Sequence, residues 1–185
     1  MNSTFKIPVG LRTALLTITW FPVGYVFANH VYQPCQITGR SMSPTFNPGT
    51  ETSAKDIALI QKFNLKKPDS LVRGDVIMIR SPSNPEKLIT KRVVGLQGEI
   101  VKTKLPPYPK TETRVPRNHL WVEGDNGFHS VDSNTFGPIS QALVVGKVVG
   151  IIWPPSRIGL NIRDGGRDAR KSEEIEDKVK LLGDI

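Results

Sequence analysis

The sequence predicts a mainly β protein, an antiparallel β domain preceded by one N-terminal transmembrane helix. Three observations predict it. Arg12 and Arg40 bracket 27 residues that contain no Asp, Glu, Lys or Arg. Beyond that run, six short segments rich in β-branched residues are separated by turn clusters. No long amphipathic helix interrupts them. With 185 residues, 38% hydrophobic and 23% charged, the chain suits one domain plus an accessory segment. That composition excludes wholesale disorder and a multi-span membrane protein.

Residues 1–12 form a short N-terminal segment carrying Lys6 and Arg12. Residues 13–32 are expected to be the anchor, with the apolar part in "ALLTITWFPVGYVFANHV" (14–31). That length is near the lower limit for a spanning helix, roughly 17–25 residues. Pro22 and Gly24 are tolerated in such helices, and Tyr25 and Tyr32 suit an interfacial aromatic belt. A cleaved signal peptide and a buried core helix are the competing readings. The segment is long for a signal core, and "ANH" is a poor small-x-small cleavage site.

The β domain is expected over 33–160. Its strands are "DIALI" (56–60), "DVIMI" (75–79), "KLITKRVVGL" (87–96), "GEIVK" (98–102), "HLWVEG" (119–124) and "ALVVGKVVGII" (142–152). The turns are "RGD", "SPSNP", "LPPYPK", "GDNG" and "WPP". This pattern fits a small barrel or packed sheets. Residues 103–116 read as a Pro-rich surface loop, and Pro154-Pro155 as the end of the folded region. Residues 161–185 read as a charged tail, with Lys171 to Leu182 either a short exposed helix or disordered.

The net charge is +8. From Arg163 onward there are six basic and seven acidic residues, so the excess lies upstream. Basic surface suits nucleic acid or an anionic membrane. No zinc-finger, RNP or helix-turn-helix pattern is present, which sets nucleic acid aside. The single cysteine, Cys35, permits neither an internal disulfide nor a cysteine-based metal site.

The chemistry starts from "KLITKRVVG". On a strand, Ile89, Lys91 and Val93 share one face, and Thr90, Arg92 and Val94 the other. If the first face is inward, the Lys91 amine is desolvated, its pKa falls, and it becomes a competent general base. Arg92 could not serve, because guanidinium stays charged. A serine hydroxyl needs such a base to act as a nucleophile. "GRSMSPT" offers Ser41 and Ser43 in a turn stiffened by Pro44, though such a turn alone is more often structure than site. A Ser-His-Asp arrangement would have to use His30, His119 or His129. His129 lies beside Asp125 and Asp132, in a cluster too local for a triad and unlike a calcium loop.

Four ordered segments resemble the type I signal peptidase family of membrane-bound Ser/Lys proteases: "GRSMSPT", "RGDVIMI", "ITKRVVGLQGE" and "WVEGDNGFHSVDSNTFGPIS". The likeness spans about residues 10 to 160. It is strongest to the mitochondrial inner-membrane members, through "NPGTET", "RNHLWVEGDN", "HSVDSNTFGPIS" and "WPPSR". The resemblance implies a signal-peptidase-like catalytic domain in which Ser41 is the nucleophile and Lys91 the general base. Ser130 would orient the lysine amine, and Asp132 would brace its loop. Asp125 and Asn126 fall in the Gly-Asp-Asn turn, and Arg73, Gly74 and Asp75 in a structural turn. Two positions depart from the family pattern. Asn134 stands where an arginine usually pairs with Asp132. Gly39 stands where some bacterial relatives carry an oxyanion-donating hydroxyl, which leaves backbone N–H groups, that of Ser41 among them, as donors, with Thr38 a candidate helper.

The same resemblance implies a serine endopeptidase in the mitochondrial inner membrane, single-pass, with its catalytic domain facing the intermembrane space. It would remove hydrophobic sorting signals from precursor proteins, bound extended along a strand edge with small residues at the cleavage site. A related catalytic protease subunit would be its partner in a heterodimer, membrane lipid its surroundings, and no cofactor is required. A non-catalytic anchored subunit that stabilises a related protease is the alternative. A soluble self-cleaving repressor lacks support, since no DNA-binding module is present.

Overall fold

The structure, a computed structural model, describes residues 8–49, 55–65, 67, 70–104 and 108–167. A helix, α1 (Val9–His30), is followed by strands β1 (Tyr32–Gln36), β2 (Ile57–Gln61), β3 (Val76–Arg80), β4 (Leu88–Gly95), β5 (Ile100–Lys102), β6 (Glu112–Arg114) and β7 (His119–Glu123). A four-residue helix, α2 (Ser133–Phe136), precedes β8 (Ile139–Ser140) and the ten-residue β9 (Val144–Trp153). The mainly β, antiparallel expectation holds. Seven strands form one sheet in the order β1-β2-β9-β3-β4-β7-β8, and β5 and β6 make a separate hairpin.

The fold follows from which strands bury both faces. In β3, Val76 and Met78 join a core with Ile37, Met42, Phe46, Ile60 and Ile151. Ile77 and Ile79 join the opposite core with Val93, Leu120, Val122 and Ile139. Period-two alternation sends successive side chains to opposite faces, so a strand buried on both sides reads as the continuous apolar run "VIMI". β9 pairs with β2 on one edge and β3 on the other, and the ladders shift register within both pairings. Such shifts bend a strand and increase its twist.

α1 is 22 residues long, so it starts before the expected anchor, and Tyr32 already pairs with Gln61 in the sheet. Its apolar side chains are exposed, among them Leu16, Ile18, Trp20, Phe21, Val23 and Phe27. No helix among the described residues is long and apolar enough to cross a membrane. The helix end is tied to the sheet. Lys62 N donates to Val31 O at 2.9 Å, Lys62 Nζ to Asn29 O at 3.4 Å, and the Tyr32 ring packs between Phe27 and Phe63.

Two sequence expectations are corrected. The Pro-rich stretch 103–116 is not wholly loop, since Glu112–Arg114 pairs with Ile100–Lys102 as β6 against β5. The tail boundary at residue 160 falls inside packed chain. Ile162 is 7% exposed within the first core, and Arg163 and Arg167 make ion pairs to Asp75 and Glu123. Dense charge suggests a solvated tail, but here Arg163 and Arg167 meet buried acids. The expectation for Lys171 to Leu182 lies outside the described residues.

Candidate active site

Ser41 and Lys91 open onto one cleft of about 440 Å³, lined also by Thr38, Gly39, Met78 and Ile89. The turn carrying Ser41 is built by local bonds, Ser43 N to Arg40 O at 3.2 Å and Phe46 N to Met42 O at 2.9 Å. It is fastened from two sides. Met42 and Phe46 are fully buried in the first core. Asn47 and Asp56 exchange bonds at 2.8 and 2.9 Å, while Arg157 bridges Asp56 Oδ2 at 2.5 Å and Thr45 O at 2.7 Å. Gly39 sits at φ 87°, where a side chain is strained, so a hydroxyl-bearing residue there would need a different backbone path.

Lys91 lies on β4 opposite Ile77 and is 3% exposed. Its pKa falls to about 8 from an ordinary 10.5, chiefly through burial and to a smaller extent through the charge of Lys87. The charges of Asp132 and Asp125 raise it and so limit the fall. The inward-facing condition set by the sequence pattern is met.

The loop after β7 brings up the remaining residues. Ser130 Oγ donates to Asp132 Oδ2 at 2.9 Å, and Gly124 N to the same oxygen at 3.1 Å. Asp132 Oδ1 accepts from Asn134 N and Nδ2, each at 3.0 Å, capping α2. Four donors thus hold the Asp132 carboxylate without an arginine at 134. Gly124 is the pivot. A Cβ there would overlap Ser130 Oγ and lie 2.6 Å from Ser41 O, so only glycine lets the serine loop close onto the Ser41 turn. Asn126 N completes that junction by donating to Ser41 O at 3.0 Å.

Arg92 has a role its sequence position did not disclose. It is 3% exposed and grips Asp125 through Nε and Nη2, at 2.7 and 2.6 Å. Thr45 Oγ1 also donates to Asp125, at 2.5 Å, which links this pair to the Ser41 turn. His129 is exposed at the cleft rim, and both acids beside it are committed, Asp125 to Arg92 and Asp132 to Ser130. His119 Nδ1 contacts Arg117 O at 2.8 Å, and His30 ends α1. Among the described residues, no group of three His, Cys, Asp or Glu is placed to hold a metal. Sequence reasoning missed Asp56 and the Arg92–Asp125 pair, and it placed Gly124 in a motif without disclosing its purpose. "WPPSR" marked Arg157 only as a likeness.

A family model described as signal peptidase, peptidase S26, matches residues 11–107 and 102–153. The chain belongs to the signal peptidase S26 family. Within it, mitochondrial inner membrane protease subunit 2 of Saccharomyces cerevisiae is 51% identical over 166 residues, covering 89% of this chain and 93% of the relative. The human protein of that name is 40% identical over 136 residues, 74% and 75% of the two chains. Mouse mitochondrial inner membrane protease subunit 1 is 33% identical over 164 residues, 88% and 94%. The crystal structure of a signal peptidase I from Enterococcus faecalis V583 aligns with a TM-score of 0.36 and 29% identity, over 44% of this chain and 96% of that one. The S26 match takes in Ser41 and Lys91 and also the loop with Ser130 and Asp132, and it ends before Arg157.

Proposed function

We propose that this S26 chain is a membrane-anchored serine endopeptidase that removes sorting signals from precursor proteins, with Ser41 as nucleophile and Lys91 as general base. One observation carries the reading: a buried lysine whose amine titrates near 8 opens onto the same cleft as the serine. Lys91 takes the Ser41 proton as Oγ attacks the scissile carbonyl carbon. It then returns that proton to the leaving amine, and water attacks the acyl-serine in the same way. Ser130, held by Asp132, orients the amine. The Ser41 N–H is the natural oxyanion donor, with Thr38 on the same cleft wall.

The anchor is α1. A helix of 22 residues is about 33 Å long, enough for a hydrocarbon core of about 30 Å. Thr13, Thr17 and Thr19 lower its mean hydropathy, yet their hydroxyls bond carbonyls of the helix itself, those of Gly10, Ala14 and Leu15 at 2.9, 2.9 and 2.8 Å. Polar groups satisfied within the helix cost less in lipid than composition implies. The names of the relatives support the mitochondrial inner membrane and a related protease subunit as partner. The catalytic domain then faces the intermembrane space, and no cofactor takes part.

The test is cleavage of a precursor peptide by the full chain, alone and with a partner subunit. Wild type should cut, while Ser41→Ala and Lys91→Ala should not. Ser43→Ala should keep most activity. Cleavage that survives Ser41→Ala whenever the partner is present would support the non-catalytic alternative.

A further inference from the structure

The segment 161–167, beyond the S26 match, lies across the back of the site. Ile162 enters the first core, and Arg92 Nη1 holds the carbonyls of Ile162 and Arg163 at 2.8 and 3.2 Å. Arg163 Nη2 reaches Asp75 Oδ1 at 2.8 Å. Gly165 passes so close to Thr45 and Asp125 that a Cβ would lie 2.9 Å from Asp125 Oδ2. The segment delivers Arg167 to Glu123. Both Glu123 oxygens accept from its guanidinium, Nε to Oε2 at 3.2 Å and Nη2 to Oε1, while Nη1 is fixed on Lys102 O at 2.6 Å.

Glu123 is 3% exposed and immediately precedes the pivot Gly124. Its Oε1 also accepts from Trp121 Nε1 at 2.9 Å and from Asn134 Nδ2 at 3.0 Å. The same Asn134 amide donates to Asp132. One neutral amide therefore bridges two buried carboxylates. Like charges so placed repel each other, unless a cation offsets one of them. Lys104 Nζ, half exposed at 3.4 Å from Glu123, is the weaker of the two cations. Arg167 approaches with the planar fork that matches a carboxylate.

We propose that Arg167 is a positioning residue for the Ser130–Asp132 limb. By neutralising Glu123 it holds Asn134 between the two acids and keeps Asp132 turned toward Ser130. It thereby supplies, from the C-terminal segment, the positive charge that Asn134 lacks. The inference rests on the Ser41–Lys91 reading above.

The test uses the full chain with its partner subunit and measures kcat, KM and the pH profile of precursor-peptide cleavage. Arg167→Met should lower kcat by about ten- to a hundredfold, the loss expected of misplaced groups, with KM little changed. It should also move the rising pH limb to higher pH, because an uncompensated Glu123 charge favours the Lys91 ammonium. The other charges around that amine, Asp132, Asp125 and Lys87, with Arg40 and His129 along the cleft, stay in place. Arg167→Lys should recover part of the loss. Glu123→Gln/Arg167→Met should return the limb and bring kcat to within about threefold of wild type, since no acid is left to neutralise. If Arg167→Met does not accumulate, the double variant decides alone. An unmoved limb in Arg167→Met, or a double variant as slow as the single, overturns the proposal. Ser41→Ala runs in parallel: if it still cleaves, the Ser/Lys reading has failed instead.

Discussion

At the residue scale, Lys91, the proposed base, ties function to stability. Its pKa falls from 10.5 to about 8 in the fold, so between those values the unfolded chain holds more protons. Stability therefore rises with pH across that window, and below about 8 the buried ammonium costs its full amount. Lys91→Met should unfold later than wild type at pH 7, by on the order of 3 kcal/mol, with the gap closing as pH approaches 10.5. Chemical denaturation at a series of pH values checks this. Arg92 behaves oppositely. Arg92→Ala leaves Asp125 buried with its ion pair gone and should cost about 3–5 kcal/mol. The alternation of "LITKRVV" was enough to set Lys91 apart from Arg92 in the sequence. That Arg92 is also buried was not legible, because its partner Asp125 lies 33 residues away and comes close only through β4–β7 pairing.

At the element scale, the strands with apolar alternation were legible, and those without it were not. β1 ("YQPCQ") and β6 ("ETR") are polar, short and largely exposed, so they are strands by pairing and not by pattern. The sheet order was illegible too, since β9 inserts between β2 and β3 and no local signal specifies that. The turn at Ser41 could be read as stiff, but not as held by Asp56 and Arg157, 101 residues apart. Gly124 was part of a motif, yet its purpose needed coordinates. Gly124→Ala should force the serine loop away from the Ser41 turn. The expected result is a stability loss of about 1–3 kcal/mol, as for other overpacked sites, with a larger fall in cleavage than that loss explains. Thermal melts and kinetics on one preparation separate the two.

At the scale of the whole molecule, one exposed helix is joined to a two-sided sheet by a fixed aromatic and lysine junction, and the site lies on the sheet beyond it. If α1 is the anchor, the full chain should stay with membranes through carbonate extraction, and removal of residues 1–32 should release it. A chain ending at residue 160 should lose Ile162 from the core and leave Asp75 and Glu123 each short of an arginine. It should melt lower and cleave poorly, where a dispensable tail would change neither. The central claim is that a lysine, not a histidine, takes the Ser41 proton. The pH dependence of single-turnover precursor cleavage, in wild type and His129→Ala, tests it most directly. The account predicts a rate that rises with pH to a half-maximum near 8 in both proteins. A half-maximum near about 6.5, the ordinary histidine value, that disappears in His129→Ala would contradict it.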